Sequence, residues 1–302
     1  MEISERSPAI ASALDWTLPT VSRWHRLYRI IRDNPLGMIG LLIVLLLVFV
    51  AVSAPYLAPH DPKDLGTRAT QYLGPSSDHP FGTDDLGRDM LSRVMYGARI
   101  SLMVGLSSVV FGTLVGTVIG IVAGYVGGII DAIISRIVDM AIAFPALLLL
   151  LILRQVLGPS AQTLIVAIGI AIIPGVSRVV RGEVVSQRNN QYVEAAVALG
   201  ASTPRILFLH IAPNIAALAI IVMTSLLGTA VLAEAALSFL GLGIPSSITW
   251  GGDVNAARLS PHATIAWAFF PGAAIAVTVL GFSLFGDALR DIADPRLRSQ
   301  RQ

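Results

Sequence analysis

Lys63 is the only lysine in 302 residues, and Asp64 follows it, so the lysine of a G-x-x-x-x-G-K-[ST] phosphate-binding loop has no counterpart here. The chain therefore cannot itself be a nucleotide-binding ATPase of that kind. It has no cysteine, which removes disulfides, thiolate metal sites and cysteine nucleophiles together. Asp84, Asp85 and Asp89 crowd one short stretch, but the alternating acidic spacing and distant Glu of an EF-hand are missing. Turn and helix-capping duty is expected of them, and no metal site. No paired carboxylates, metal-spaced histidines or Ser/His/Asp set falls in a common site, which argues against a membrane-bound hydrolase. A non-catalytic chain holding no cofactor of its own is expected.

The segment Tyr192 to Pro213 instead suits mechanical work. Glu194 to Leu199 contains good helix formers, and Gly200 can take the left-handed position that ends a helix. Ser202 or Thr203 can cap a second helix with Pro204 at its first position. Helix, break and helix make a compact bent lever, although the same pattern describes an ordinary helical hairpin. A structural hydrogen bond is expected of His210. Glu234 lies near the end of an apolar run, where an ionisable group either faces a pathway or partner, or snorkels to the interface.

The elements around these residues read as membrane spans. Hydrophobic residues make up 54% of the chain, charged ones 13%, and the mean hydropathy is +0.74, which identifies an integral membrane protein. Six spans are expected near residues 37–54, 100–124, 133–157, 160–180, 214–233 and 263–286. A cytoplasmic arm, 1–36, precedes a transmembrane domain over 37–298, and 299–302 end the tail. Val52-Ser53-Ala54 resembles a signal-cleavage site, but the arm before it is too long and more spans follow.

Leu86, Met90, Val94 and Ala98 recur at helical spacing, as in a helix lying along the interface before span two. In span three Pro145 is placed to kink the helix, and Arg136, Asp139 and Arg154 are expected at interfaces because a charge at mid-membrane is costly. Pro174-Gly175 marks a bend or break in span four. The glycines after Ala235 make a regular helix unfavourable over 235–252, which reads as an external loop dipping into protein-lined space. Gly105, Gly112, Gly116, Gly120 and Gly124 share one helical line, which is expected to face another helix. Six spans place both termini and the lever on one side, together with most of the 21 basic residues, and the positive-inside rule makes that side cytoplasmic. The small basic excess reads as orientation and lipid-headgroup anchoring; no nucleic-acid surface is expected.

Glu194-Ala195-Ala196, then Gly200 and Pro213, resembles the EAA loop of ABC-importer permeases, which would place the coupling loop over about 186–213. Spacing carries the signal: Glu234-Ala235-Ala236 repeats the tripeptide with Leu240 where the glycine belongs. The segments His79 to Asp89, Gly124 to Gly128, Arg136 to Asp139, Phe144-Pro145, Arg178 to Glu183, Glu234 to Gly243 and Asp294-Pro295-Arg296 are similar to the dipeptide and oligopeptide (and nickel) permease family, in its C-type subunit. The likeness spans roughly residues 30–298. The chain departs from the general pattern at His210, Ala212 and Ile173.

The resemblance implies an all-α, six-span type I importer permease in a bacterial or archaeal cell (inner) membrane, forming half of the pathway for dipeptides or oligopeptides. It implies a heterodimer with a second, similar permease and an extracytoplasmic substrate-binding protein. Two cytoplasmic ABC ATPases would carry the ATP and magnesium. Glu194, Ala195, Ala196, Gly200, Ala201, Ser202, Pro204 and Arg205 would then dock the ATPases. The same architecture could import nickel chelates or another small solute. A secondary transporter or channel independent of ATP is the alternative from another class; it is disfavoured because no inverted repeat of broken spans is visible.

Overall fold

The computed structural model describes residues 34–293, so most of the arm and the end of the tail lie outside the described residues. The described residues from Leu36 form one unit. Helix dominates, and the one β-type pairing among the described residues is an isolated bridge between Thr83 and Asp89.

Helix α1, Pro35–Leu57, opens on a proline, whose missing N–H costs nothing at a first helical position. Leu42, Leu45, Phe49 and Val52 stay exposed on this chain, as suits a lipid-facing surface. The buried side is made by glycine: a Cβ on Gly37 would lie 2.1 Å from the Cβ of Ala288, and one on Gly40 would lie 2.6 Å from the amide nitrogen of Phe285. The helix that carries Phe285 and Ala288 therefore approaches α1 at backbone distance.

Helix α2, Met90–Val126, is a single rod of 37 residues, about 55 Å at 1.5 Å per residue. Asp89 caps it, its Oδ2 accepting from the Ser92 amide at 2.8 Å. The expected interfacial helix before span two is therefore corrected: Met90, Arg93 and Ala98 are buried in the first turns of this rod. Nothing breaks the helix there, since Met90 packs with Trp267 and Ala98 with Trp250.

Helices α3, Gly128–Ala143, and α4, Ala146–Leu157, meet at 97°. The kink expected in span three is a full break. Pro145 disfavours helical geometry at Phe144, and Phe144 and Pro145 both take extended ψ angles, 132° and 120°. Helix α5, Ala161–Arg188, starts at a capping box between Ser160 and Thr163 and runs unbroken through Pro174, where a bend or break was expected. Its seam with α2 explains why one lost hydrogen bond is tolerated: Gly112, Gly116, Gly120 and Gly124 face Ile172, Val176, Val180 and Val184 in turn. Gly105, the fifth of the line, faces Val231, much later in the chain.

Helix α6, Gln191–Ala198, is followed by the short α7, Thr203–Ile206, and a π-helical turn, Leu207–Ile211, that leads directly into α8, Ala212–Phe239. The loop at 240–249 is shorter than expected, because α8 continues past Ala235 and α9, Trp250–Leu259, begins at the Thr249 cap. Trp250 is buried, its indole donating to the Val94 carbonyl at 2.8 Å. Helix α10, Ile265–Ala293, closes the described chain. Among the described residues, five helices are long and apolar enough to cross a membrane, and six spans result if α3 and α4 form one broken crossing.

Candidate coupling site

The bent lever is present, and its turn is set by the backbone of Gly200, which has φ +76°. Helix α6 ends in a Schellman arrangement, with the Ala201 amide donating to the Ala196 carbonyl at 3.0 Å and the Gly200 amide to Val197 at 2.9 Å. Ser202 occupies the cap position of α7 without a side-chain bond. The second arm is not a free helix, as the lever pattern had suggested. It is the first turn of the fifth span, joined through the π turn, where the Ala212 amide reaches back to the Leu207 carbonyl. Pro213, which brings no N–H, sits just beyond, at a place where a regular ladder would be interrupted in any case.

One face of this lever is anchored. Val193 and Ile206 are buried against Val180, Val184, Ile211 and Ile215, so both arms rest on α5 and the start of α8. Arg188 Nη1 donates to the Tyr125 carbonyl at 2.9 Å, which fixes the end of α5 to the end of α2. His210 keeps its ring 6.3 Å from that of Tyr192, and its backbone carbonyl accepts from Asn214 at 3.2 Å.

The other face is open. Glu194, Ala195, Gly200, Ser202, Pro204 and Arg205 are exposed, while Ala196 and Ala201 are half-buried beneath them. Between them stands an apolar group that sequence reasoning missed: Leu199 is 88% exposed and Val197 58%. An exposed leucine beside a left-handed glycine is the signal that could have found it. A hollow of about 520 Å³ opens alongside, lined by Tyr125, Arg188, Val193, Glu194, Val197, Ala198 and Thr203. The result is an exposed apolar knob beside the exposed Glu194 and Arg205, on arms seated against α5 and the start of α8.

Two ion pairs join α3 to α5 near the same end of the bundle, Asp131 with Arg181 and Asp139 with Arg178. Arg181 Nη2 lies 2.7 Å from Asp131 Oδ2. Glu234 is far from the lever and fully buried: Ser101 of α2 donates to its Oε2 at 2.9 Å, and Ser238 to its Oε1 at 2.7 Å. Its carboxyl thus faces α2, not an open surface of this chain.

Arg154, expected at an interface, is 2% exposed and buried in protein. It donates to the carbonyls of Leu242, Gly243 and Ser160 at 2.8, 2.7 and 3.0 Å and to Thr163 Oγ1 at 2.7 Å. These acceptors replace the water that an interfacial position would have supplied. The guanidinium thereby clamps the loop after α8 onto the α4–α5 turn.

A glycine-seamed bundle of membrane helices that presents an anchored lever defines the class that comparison with known proteins identifies. Residues 116–299 match the binding-protein-dependent transport system inner membrane component family, and residues 22–75 match the N-terminal transmembrane domain of oligopeptide transport permease C. The chain belongs to the first of these families, as a multi-pass inner-membrane permease of the ABC-importer type. It is 40% identical over 280 residues to the dipeptide transport system permease protein DppC of Alkalihalophilus pseudofirmus, with 92% of each chain covered. It is 38% identical over 300 residues to the glutathione transport system permease protein GsiD of Escherichia coli O1:K1 / APEC, covering 97% of this chain and 98% of the relative.

Proposed function

We propose that this chain forms half of a pathway for short peptides across the inner membrane and is driven through its α6–α7 lever by ATPase subunits docked beneath it. The observation that carries this reading is the lever itself: both arms seated on the bundle through Val193 and Ile206, with Leu199, Glu194 and Arg205 left facing outward. A soluble motor that moved this knob would move the ends of α5 and α8 with it, and alternating access follows if those helices have two arrangements. Both termini and the lever are assigned to the cytoplasm on the distribution of basic residues.

Peptides are preferred over nickel chelates because the two relatives are named for a dipeptide and for glutathione, itself a tripeptide. A second permease would complete the pathway, a binding protein would deliver substrate, and ATP with magnesium would reside on the ATPases. The test is co-purification of the assembled transporter followed by uptake of labelled dipeptide and glutathione into vesicles, with and without ATP. Recovery of ATPase subunits and ATP-dependent uptake are expected. Uptake that persists after ATP depletion, with no ATPase recovered, would return the chain to the secondary-transporter or channel class.

A further inference from the structure

The segment between α1 and α2 gathers three groups that the coupling reading does not use. His60 follows the end of α1, His79 stands in the middle of the segment, and Asp89 caps α2. The Nδ1 of His79 lies 3.0 Å from Asp89 Oδ1, and the Nδ1 of His60 lies 3.9 Å from Asp89 Oδ2. The two imidazoles are tilted with centroids 4.9 Å apart. One donor atom from each residue falls within 4.8 Å of the others, a grouping that occurs once among the described residues.

The surroundings hold these donors in place. Ser92 donates to Asp89 Oδ2 through its amide at 2.8 Å and its hydroxyl at 2.7 Å, which orients the carboxylate, and the same hydroxyl accepts from the His60 amide at 3.1 Å. The His79 carbonyl accepts from Gly82 at 2.8 Å and Ser76 at 2.9 Å, and its amide donates to Ser76 Oγ at 3.1 Å. Asp89 is 1% exposed in its side chain, His79 15% and His60 45%, so the site is closed on the carboxylate side and open to solvent at His60.

Two imidazole nitrogens and one carboxylate oxygen form a donor set for zinc-class divalent ions; calcium and magnesium take oxygen shells. Bonds of about 2.0–2.1 Å at tetrahedral angles place neighbouring donors about 3.3 Å apart, within the spread observed here. We propose that His60, His79 and Asp89 bind one zinc-class divalent cation, with water in the fourth position on the His60 side. Both imidazoles coordinate in the neutral form through Nδ1, and the ion takes the place of the proton between His79 and Asp89. Once bound, it clips the end of α1 to the start of α2, at the opposite end of the α2 rod from the lever.

The test uses the full-length chain in detergent, freed of any affinity tag, stripped with chelator and titrated with zinc sulfate. Calorimetry is expected to give one zinc per chain, thermal unfolding to shift upward, and cobalt(II) to show the visible d–d bands of a tetrahedral site. His60→Ala and His79→Ala should each weaken zinc binding by more than about tenfold, whereas His210→Ala and His262→Ala should not. His60 is half exposed, so its variant folds and decides the matter even if the His79 variant does not. Absence of zinc binding, zinc binding unchanged in His60→Ala, or tighter binding of calcium than of zinc would overturn the assignment.

Discussion

A Cβ placed on Gly116 would lie 2.8 Å from the Cβ of Val176 and 3.0 Å from the carbonyl oxygen of Ile173. Neither contact is with the flexible end of a side chain, so even alanine forces α2 and α5 apart. Overpacking of this kind costs about 1–3 kcal/mol. Gly116→Ala is expected to lower the thermal unfolding temperature of the purified chain, and Gly116→Leu to lower it further and reduce uptake. Gly175 is the control, since nothing lies within 4 Å of its Cβ position. Gly175→Ala should leave stability unchanged or raise it by about 0.5–1 kcal/mol, the usual gain in a helix interior. Equal behaviour of the two alanine variants would show that the seam is not tight.

Gly200 poses the opposite case. Space around its Cβ position is open, but φ is +76°, where an L side chain costs about 1–2 kcal/mol. Gly200→Trp adds that strain and also covers the rim of the lever. Membrane insertion and helix content should persist, because Val193 and Ile206 still seat the arms. ATP-dependent uptake should fall by at least about tenfold, a loss equivalent to about 1.4 kcal/mol. Vesicle uptake together with circular dichroism checks both halves, and normal uptake would count against a tightly seated lever.

What could be read from the sequence was local. The glycine line of α2 was legible because residues three and four apart share a helical face whatever lies opposite. Gly200 was legible because a left-handed turn selects its own residue type. Pro145 announced a disruption, but the loss of one N–H does not specify the 97° that the extended ψ angles of Phe144 and Pro145 accompany. Partners distant in the chain were not legible. Arg154 looked interfacial because its acceptors at Leu242 and Gly243 arrive 88 and 89 residues later. Glu234 left two readings open because Ser101 stands 133 residues away. Leu199 was missed because an apolar residue in a pattern reads as core, although its place just before the helix-ending Gly200 sets it at the turn, where it is 88% exposed.

Leu199 is therefore the residue through which docking can be tested with least disturbance to the fold. It is 88% exposed, and changes at exposed positions usually alter stability by no more than about 0.5 kcal/mol. Leu199→Asp should unfold at the parental temperature. If the knob enters an ATPase groove, a buried aspartate there costs about 2 kcal/mol or more, about thirtyfold in affinity. Recovery of ATPase subunits with the purified permease should drop accordingly. Undiminished recovery would place the docking contact elsewhere on the lever.

Arg154→Met tests the clamp between the α4–α5 turn and the loop after α8. Methionine fills similar length without donors, so the carbonyls of Leu242, Gly243 and Ser160 lose the bonds that now satisfy them. A buried acceptor left unpaired costs about 1–3 kcal/mol. A chain of this size loses about 2–4 °C per kcal/mol, so the unfolding temperature should fall by at least about 2 °C. Arg154→Lys should recover only part of the loss, because one ammonium cannot span acceptors on two sides of the guanidinium plane. If both variants unfold at the parental temperature, water must reach those carbonyls and the clamp contributes nothing.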